Sequence, residues 1–181
     1  MTMQKLYDRD LYAWTQETAQ LLRKRRFDEL DLENLIEEVE DLGSSERSKL
    51  EGQLEALMEH LLYIAYLTRD RERDGYGWRH TVEEARDKAL RLLKKNPSFM
   101  HSLDEGIADA YRTATRRLLR NAEVMHTEGK ISRAISKEEI PPRSPWTARE
   151  LFEEERYFTR AEIEQRTQRM EPPSDRKRRV Q

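Results

Sequence analysis

The sequence contains no cysteine. That excludes disulfide scaffolds, Cys-ligated zinc, thiol catalysis and thiol redox sensing. Glycine and proline are scarce, at six of each in 181 residues. Val and Ile together number only eleven, and no alternation of apolar and polar residues runs through the chain, so a sheet is not expected. Long apolar runs are missing as well. The longest, Leu61 to Leu67, falls far short of the ~20 residues a membrane helix needs. The opening MTMQKLYDRDLYAW lacks the apolar core of roughly 7–15 residues that a secretory signal requires. The cytoplasm is therefore the expected compartment, with no membrane contact. A net charge of −2 supplies no whole-chain basicity, so nucleic acid is not an expected partner. There is no phosphate-cradling Gly-rich loop, no His-Glu-x-x-His and no Gly-x-Ser-x-Gly. The sequence reveals no reaction and calls for no cofactor, although a metal stays open.

What is present is charge and helix-forming residues. Charged residues make up 39% of the chain, well above the ~25% of ordinary domains. Ala, Glu, Lys, Leu and Arg count 93 of 181, close to the half that marks long helices. The expected fold is all-α: a single bundle of five or six helices over residues 1–128, a Pro-containing linker at 129–146, an extended C-terminal helical arm at 147–170 and a disordered tail at 171–181.

Apolar spacing of three and four residues predicts helices over 6–25, 28–42, 46–68, 81–95, 103–127 and 147–170. Leu32, Leu35, Ile36, Val39 and Leu42 form a clean stripe. Gly43 is expected to stop or kink that helix. Leu50, Leu54, Leu57, Met58, Leu61, Leu62 and Ala65 form the strongest stripe, so this helix should be central. Residues 69–79 read as a loop with Trp78 tucked back. Capping boxes are expected at Thr81–Glu84, Ser102–Glu105 and Thr147–Glu150.

These residues resemble the domain of unknown function 29 family of small bacterial proteins. The resemblance lies in Tyr7-Asp8-x-Asp10-x-x-x-Trp14 and in Leu30-Asp31 through Leu35-x-Glu37-Glu38. It continues through Gly43, His60-Leu61-Leu62, Trp78 with Thr81, Pro97-Ser98 and Tyr111. It covers roughly residues 5–125 and implies an all-helical fold without implying an activity. Gly75-Tyr76-Gly77 and the helix from Thr147 onward depart from the family's short form.

The most unusual local feature is residues 28–41, with eight acids and no base. Glu37, Glu38 and Asp41 are binding candidates there. Such carboxylates either pair with arginines such as Arg112, Arg116 and Arg120, in the chain or on a partner, or hold a hard cation. His60 could join Glu37, Glu38 or Asp41 across an antiparallel helix pair as a metal or acid–base site; otherwise it is a hydrogen-bonded core histidine. Arg120-Asn121 with His126 resembles the Arg–polar–x4–His signature of the HEPN (higher eukaryotes and prokaryotes nucleotide-binding) superfamily. That resemblance implies a ribonuclease or nucleotide-binding dimer, in which Arg holds phosphate and His moves protons. Trp78 is a core anchor or a ligand platform. Leu151, Phe152, Tyr157 and Phe158 form a face too small to fold alone, so it should dock on the bundle, a partner or a sister subunit in a homodimer. The leading expectation is a non-catalytic protein-interaction module with an acidic helix face and an amphipathic arm.

Overall fold

A computed structural model describes residues 3–67 and 76–170. Of the loop expected at 69–79, residues 69–75 lie outside the described residues, as does the expected tail at 171–181, while 76–79 are helical. Among those described, every regular element is helical: α1 (Met3–Arg9), α2 (Leu11–Arg23), α3 (Leu32–Tyr66), α4 (Tyr76–Lys95), α5 (Leu103–Thr127), α6 (Ala148–Leu151) and α7 (Arg160–Met170). Short 3-10 turns lie at Phe27–Glu29, Pro97–Ser102 and Lys137–Glu139. No described helix is long and apolar enough to cross a membrane. The chain divides into two compact units, Met1–Arg47 and Ser48–Gln181, where sequence reasoning placed one bundle over 1–128.

Local capping explains where several elements depart from expectation. The first helix is two, because Asp10 leaves helical geometry and its side chain accepts from the Ala13 N–H at 2.9 Å. Asp31 accepts from the Asn34 amide nitrogens, as an N-cap before Leu32 should. Helix α4 begins at Tyr76, so Thr81 lies inside it and its hydroxyl donates to the Gly77 carbonyl. Ser102 makes no side-chain cap; its hydroxyl donates to the Phe99 carbonyl instead. The capping box at Thr147 and Glu150 forms in full.

Helix α3 runs unbroken through Gly43 for 35 residues. Nothing lies within 4 Å of where a Cβ on Gly43 would sit. A mid-helix glycine costs backbone entropy without return here. Gly43→Ala should therefore raise stability by about 0.5–1 kcal/mol in a denaturant titration. A loss of stability would show that the chain needs its flexibility at this point.

The core of the second unit is built on the strongest stripe. Leu57, Met58, Leu61 and Leu62 have no exposed surface, each worth about 1.5–3 kcal/mol of burial. They share one cluster with Val82, Ala85, Ala89 and Leu93 of α4 and with Ile107, Ala110, Tyr111, Ala114, Leu118 and Ala122 of α5. Small residues let α5 come close: a Cβ on Gly106 would meet Leu54 Cδ1 at 3.4 Å. Ile140, Trp146, Leu151, Phe158 and Ile163 belong to the same cluster. The segment expected to extend as an arm is therefore packed into this unit. It is also two helices rather than one, since the chain leaves helical geometry between Leu151 and Arg160.

Ion pairs fasten the C-terminal segment. Arg166 lies 2.7 Å from Glu150, which also accepts from the Thr147 N–H and hydroxyl at 3.0 Å. Arg166 foremost, with Thr147, pulls the Glu150 carboxyl down from 4.5 to about 2. Arg133, the Ser136 N–H and Arg160 hold Glu139 well below the usual carboxylate range. A carboxyl depressed on folding adds stability above its unfolded pKa and loses it as pH falls toward the folded value. Thermal stability should therefore fall between pH 4.5 and about 2. Glu150→Gln should lose less over that window, and an identical loss would exclude Glu150 as a contributor.

Candidate interaction surface

The first unit positions α1, α2 and the start of α3 through aromatic and hydrogen-bond contacts. The Tyr7 hydroxyl donates to Glu38 Oε1 at 2.8 Å. That bond, before all else, pushes the Tyr7 hydroxyl up to about 12. The Tyr7 ring meets Trp14 edge-on at 5.1 Å, and Trp14, Thr18 and Leu21 are buried. Glu38 thus holds this unit together, in addition to being one of the expected binding residues.

The stripe on the N-terminal part of α3 does not behave as a core. Leu32, Ile36, Val39 and Leu42 are 54%, 58%, 63% and 72% exposed. Eight of the eleven exposed large hydrophobics among the described residues fall in the first 47 positions, with Leu11, Tyr12, Leu22 and Phe27 completing the set. Scattered single apolar residues on a surface are ordinary, whereas a contiguous helix stripe marks a contact surface. Glu33, Glu37 and Glu40 each follow an apolar position by one residue, so they lie about 100° round the helix and form its acidic flank.

The acids of 28–41 find few partners. Glu29 pairs with Arg26, Asp31 caps α3 and Glu38 holds Tyr7. Glu33, Glu37, Glu40 and Asp41 make no ion pair among the described residues. Of the arginines expected to answer them, Arg112 pairs with Asp109 and Arg116 bonds the Thr113 hydroxyl, while Arg120 is exposed. Arg117 bridges Glu55 and Glu59 at 2.8 and 3.0 Å.

His60 was expected to face Glu37, Glu38 or Asp41 across two antiparallel helices. Those two helices are one, so that pair does not exist. His60 Nδ1 sits 2.9 Å from the Ala56 carbonyl, and its ring is 5.5 Å from Tyr63. Among the described residues, no three His, Asp or Glu side chains gather into a group that could hold a metal ion. Asn121 donates to the Tyr63 hydroxyl, which donates to Glu59. Burial, then the Glu59 bond, pushes Tyr63 up to about 12. Arg120 is exposed, while His126 Nδ1 lies 3.3 Å from the Ile131 carbonyl. Six residues apart, Arg120 and His126 point about 120° away from each other around α5.

Trp78 is half-buried against the core, its ring 5.5 Å from Tyr63. Leu151 and Phe158 have no exposed surface, and Phe152 and Tyr157 pack against the same cluster. The amphipathic face expected to dock on the bundle, a partner or a sister subunit is packed into the chain's own core. Arg86, which sequence reasoning missed, bonds its backbone as well. Arg86 is 2% exposed. It donates to the Leu151 carbonyl at 2.7 Å, to the Arg156 carbonyl and to Glu83 at 2.6 Å. Glu83 in turn accepts from the Tyr157 hydroxyl at 2.7 Å. The signal was its register: Arg86 stands between Ala85 and Ala89 on the inward stripe of α4, where only a paired charge can be buried.

An open cleft of about 1310 Å³ lies along α5, the 137–142 segment and α7. Its charges balance, with Arg112, Arg116, Lys137 and Arg160 beside Asp109, Glu138, Glu139 and Glu164. Arg160 is held by Glu139 and Glu164. The cleft therefore shows no preference for one sign of ligand.

The family model described as domain of unknown function DUF29 matches residues 6–157. No curated protein and no solved structure matches the chain.

Proposed function

We propose that this chain, which belongs to the DUF29 family, is a non-catalytic protein-interaction module of the cytoplasm. Its binding face is the exposed apolar stripe of α3 with the acidic flank beside it. The observation that carries this reading is the exposure of Leu32, Ile36, Val39 and Leu42 on one helix face. Four large apolar side chains at helical spacing keep a face in water that a partner would dry, and each would contribute to binding as it is covered. Glu37 and Asp41 border the face, and Glu38 holds the Tyr7 anchor behind it. The metal-binding and ribonuclease-like readings gain no specific support from the surroundings of His60, Arg120 or His126.

A photoreactive residue at Val39 tests the proposal in cells. It should give a discrete crosslinked protein, while the same residue at exposed Asp87 on α4 should not. Equal, diffuse labelling from both positions would reject an interaction face on α3.

A further inference from the structure

The interaction face carries information about the chemistry of what covers it. Leu32, Ile36, Val39 and Leu42 offer an apolar seam at steps of four, three and three residues, which is the spacing read by another helix. Beside it stand Glu37, Glu40 and Asp41, with no ion pair among the described residues. Residues 28–41 carry eight negative charges and no positive one. Resting on the interaction reading above, we infer that the occupant is an amphipathic helix of a partner protein, apolar at the same spacing and flanked by Lys and Arg.

Charge decides among the possible occupants. A second copy packed on this seam, parallel or antiparallel, brings carboxylates against carboxylates, which opposes association. An anionic lipid surface meets the same repulsion. A basic helix gains on both terms: its apolar side dries the seam, and its cations meet unpaired acids at the rim. Rim charges steer encounter and are screened by salt, so binding weakens as ionic strength rises.

Two synthetic amphipathic peptides of equal length, with identical leucine heptads, test this on the full chain. One has Lys and Arg at the flanking positions and the other has Glu. The basic peptide should bind about tenfold or more tightly than the acidic one, in a salt-dependent way. Val39→Ser with Leu42→Ser should weaken that binding about tenfold without changing the circular dichroism, because both side chains are already in water. Replacing Glu37→Gln, Glu40→Gln and Asp41→Asn should bring the two peptides to similar affinity. Equal affinities for the unmodified chain, binding of neither peptide, or indifference to the serine variants would overturn the inference. So would a two-chain mass that Val39→Ser reduces to one, which assigns the seam to a second copy. The crosslink at Val39 separates this inference from the reading beneath it. A captured partner whose contacting segment is acidic or non-helical removes the basic-helix assignment and leaves the interaction module standing. Absence of both a crosslink and peptide binding removes both.

Discussion

Arg86→Ala is expected to release the C-terminal segment from the second unit. The guanidinium forks between two backbone carbonyls, Leu151 and Arg156, and reaches Glu83 with its third donor. Burial itself disfavours this charge and lowers its pKa. The pairing offsets that cost, and its removal leaves the acceptors exposed as a loss. Two orphaned carbonyls at about 1–3 kcal/mol each place the destabilisation at roughly 2–6 kcal/mol. Glu83 adds little, because a third of its side-chain surface is exposed and water can replace the arginine. Arg86→Lys should recover only part of the loss, since one ammonium cannot reproduce the planar fork. Urea unfolding gives the magnitude, and limited proteolysis between residues 148 and 159 gives the location. An unchanged urea midpoint and cleavage pattern would mean that the segment docks without this clasp.

Leu151→Asp is expected to be the most damaging single change considered. Leu151 has no exposed surface and shares its cluster with Trp146, Phe158 and Ile163. Trp146 lies 6.1 Å from Tyr111 and 5.1 Å from Phe158, ring to ring. The substitution forfeits about 1.5–3 kcal/mol of burial and places a carboxylate in an apolar site at a cost of several more. Against a total stability of about 5–15 kcal/mol for a typical domain, the second unit should lose its cooperative thermal transition or show it at a much lower Tm. Val39→Asp is the matched control: it adds the same charge at a position 63% exposed and should leave that transition in place. Equal, small effects from both would mean that Leu151 is not in the core.

The elements that local physics sets by itself were legible in the sequence. The stripe from Leu50 to Ala65 predicted the central helix, because its apolar spacing has one low-energy arrangement. The inward residues of α4 and α5 followed the same rule. The Thr147 box closed as read, because both of its hydrogen bonds are local. Where two local rules competed, spacing alone could not decide. Gly43 reads as a stop, yet α3 continues, since the helical neighbours on both sides propagate through it. Asp10 lies within an apolar period, yet its side chain captures the Ala13 N–H and starts a new helix.

The candidate site was legible only in part. The acidic run of 28–41 and the stripe of Leu32, Ile36, Val39 and Leu42 were both visible. Periodicity names a face without naming what covers it, so the stripe carried no assigned cover and the C-terminal face stayed open to the bundle, a partner or a sister subunit. The structure leaves the stripe exposed and packs the C-terminal face into the chain's own core. Leu151 and Phe158 are covered by their own chain's core, and Arg86 bonds the Leu151 carbonyl across 65 residues of sequence. The partnership of His60 with Glu37 failed for a related reason: it depended on a helix break that does not occur.

Native mass spectrometry of the chain purified under mild conditions from its own cells tests the interaction module most directly. The unmodified chain should carry a second, different polypeptide, and the Val39→Ser, Leu42→Ser variant should appear without it while keeping its helical circular dichroism. A bare monomer from both, or a partner retained equally by both, would contradict the assignment of the exposed face of α3 as the binding surface.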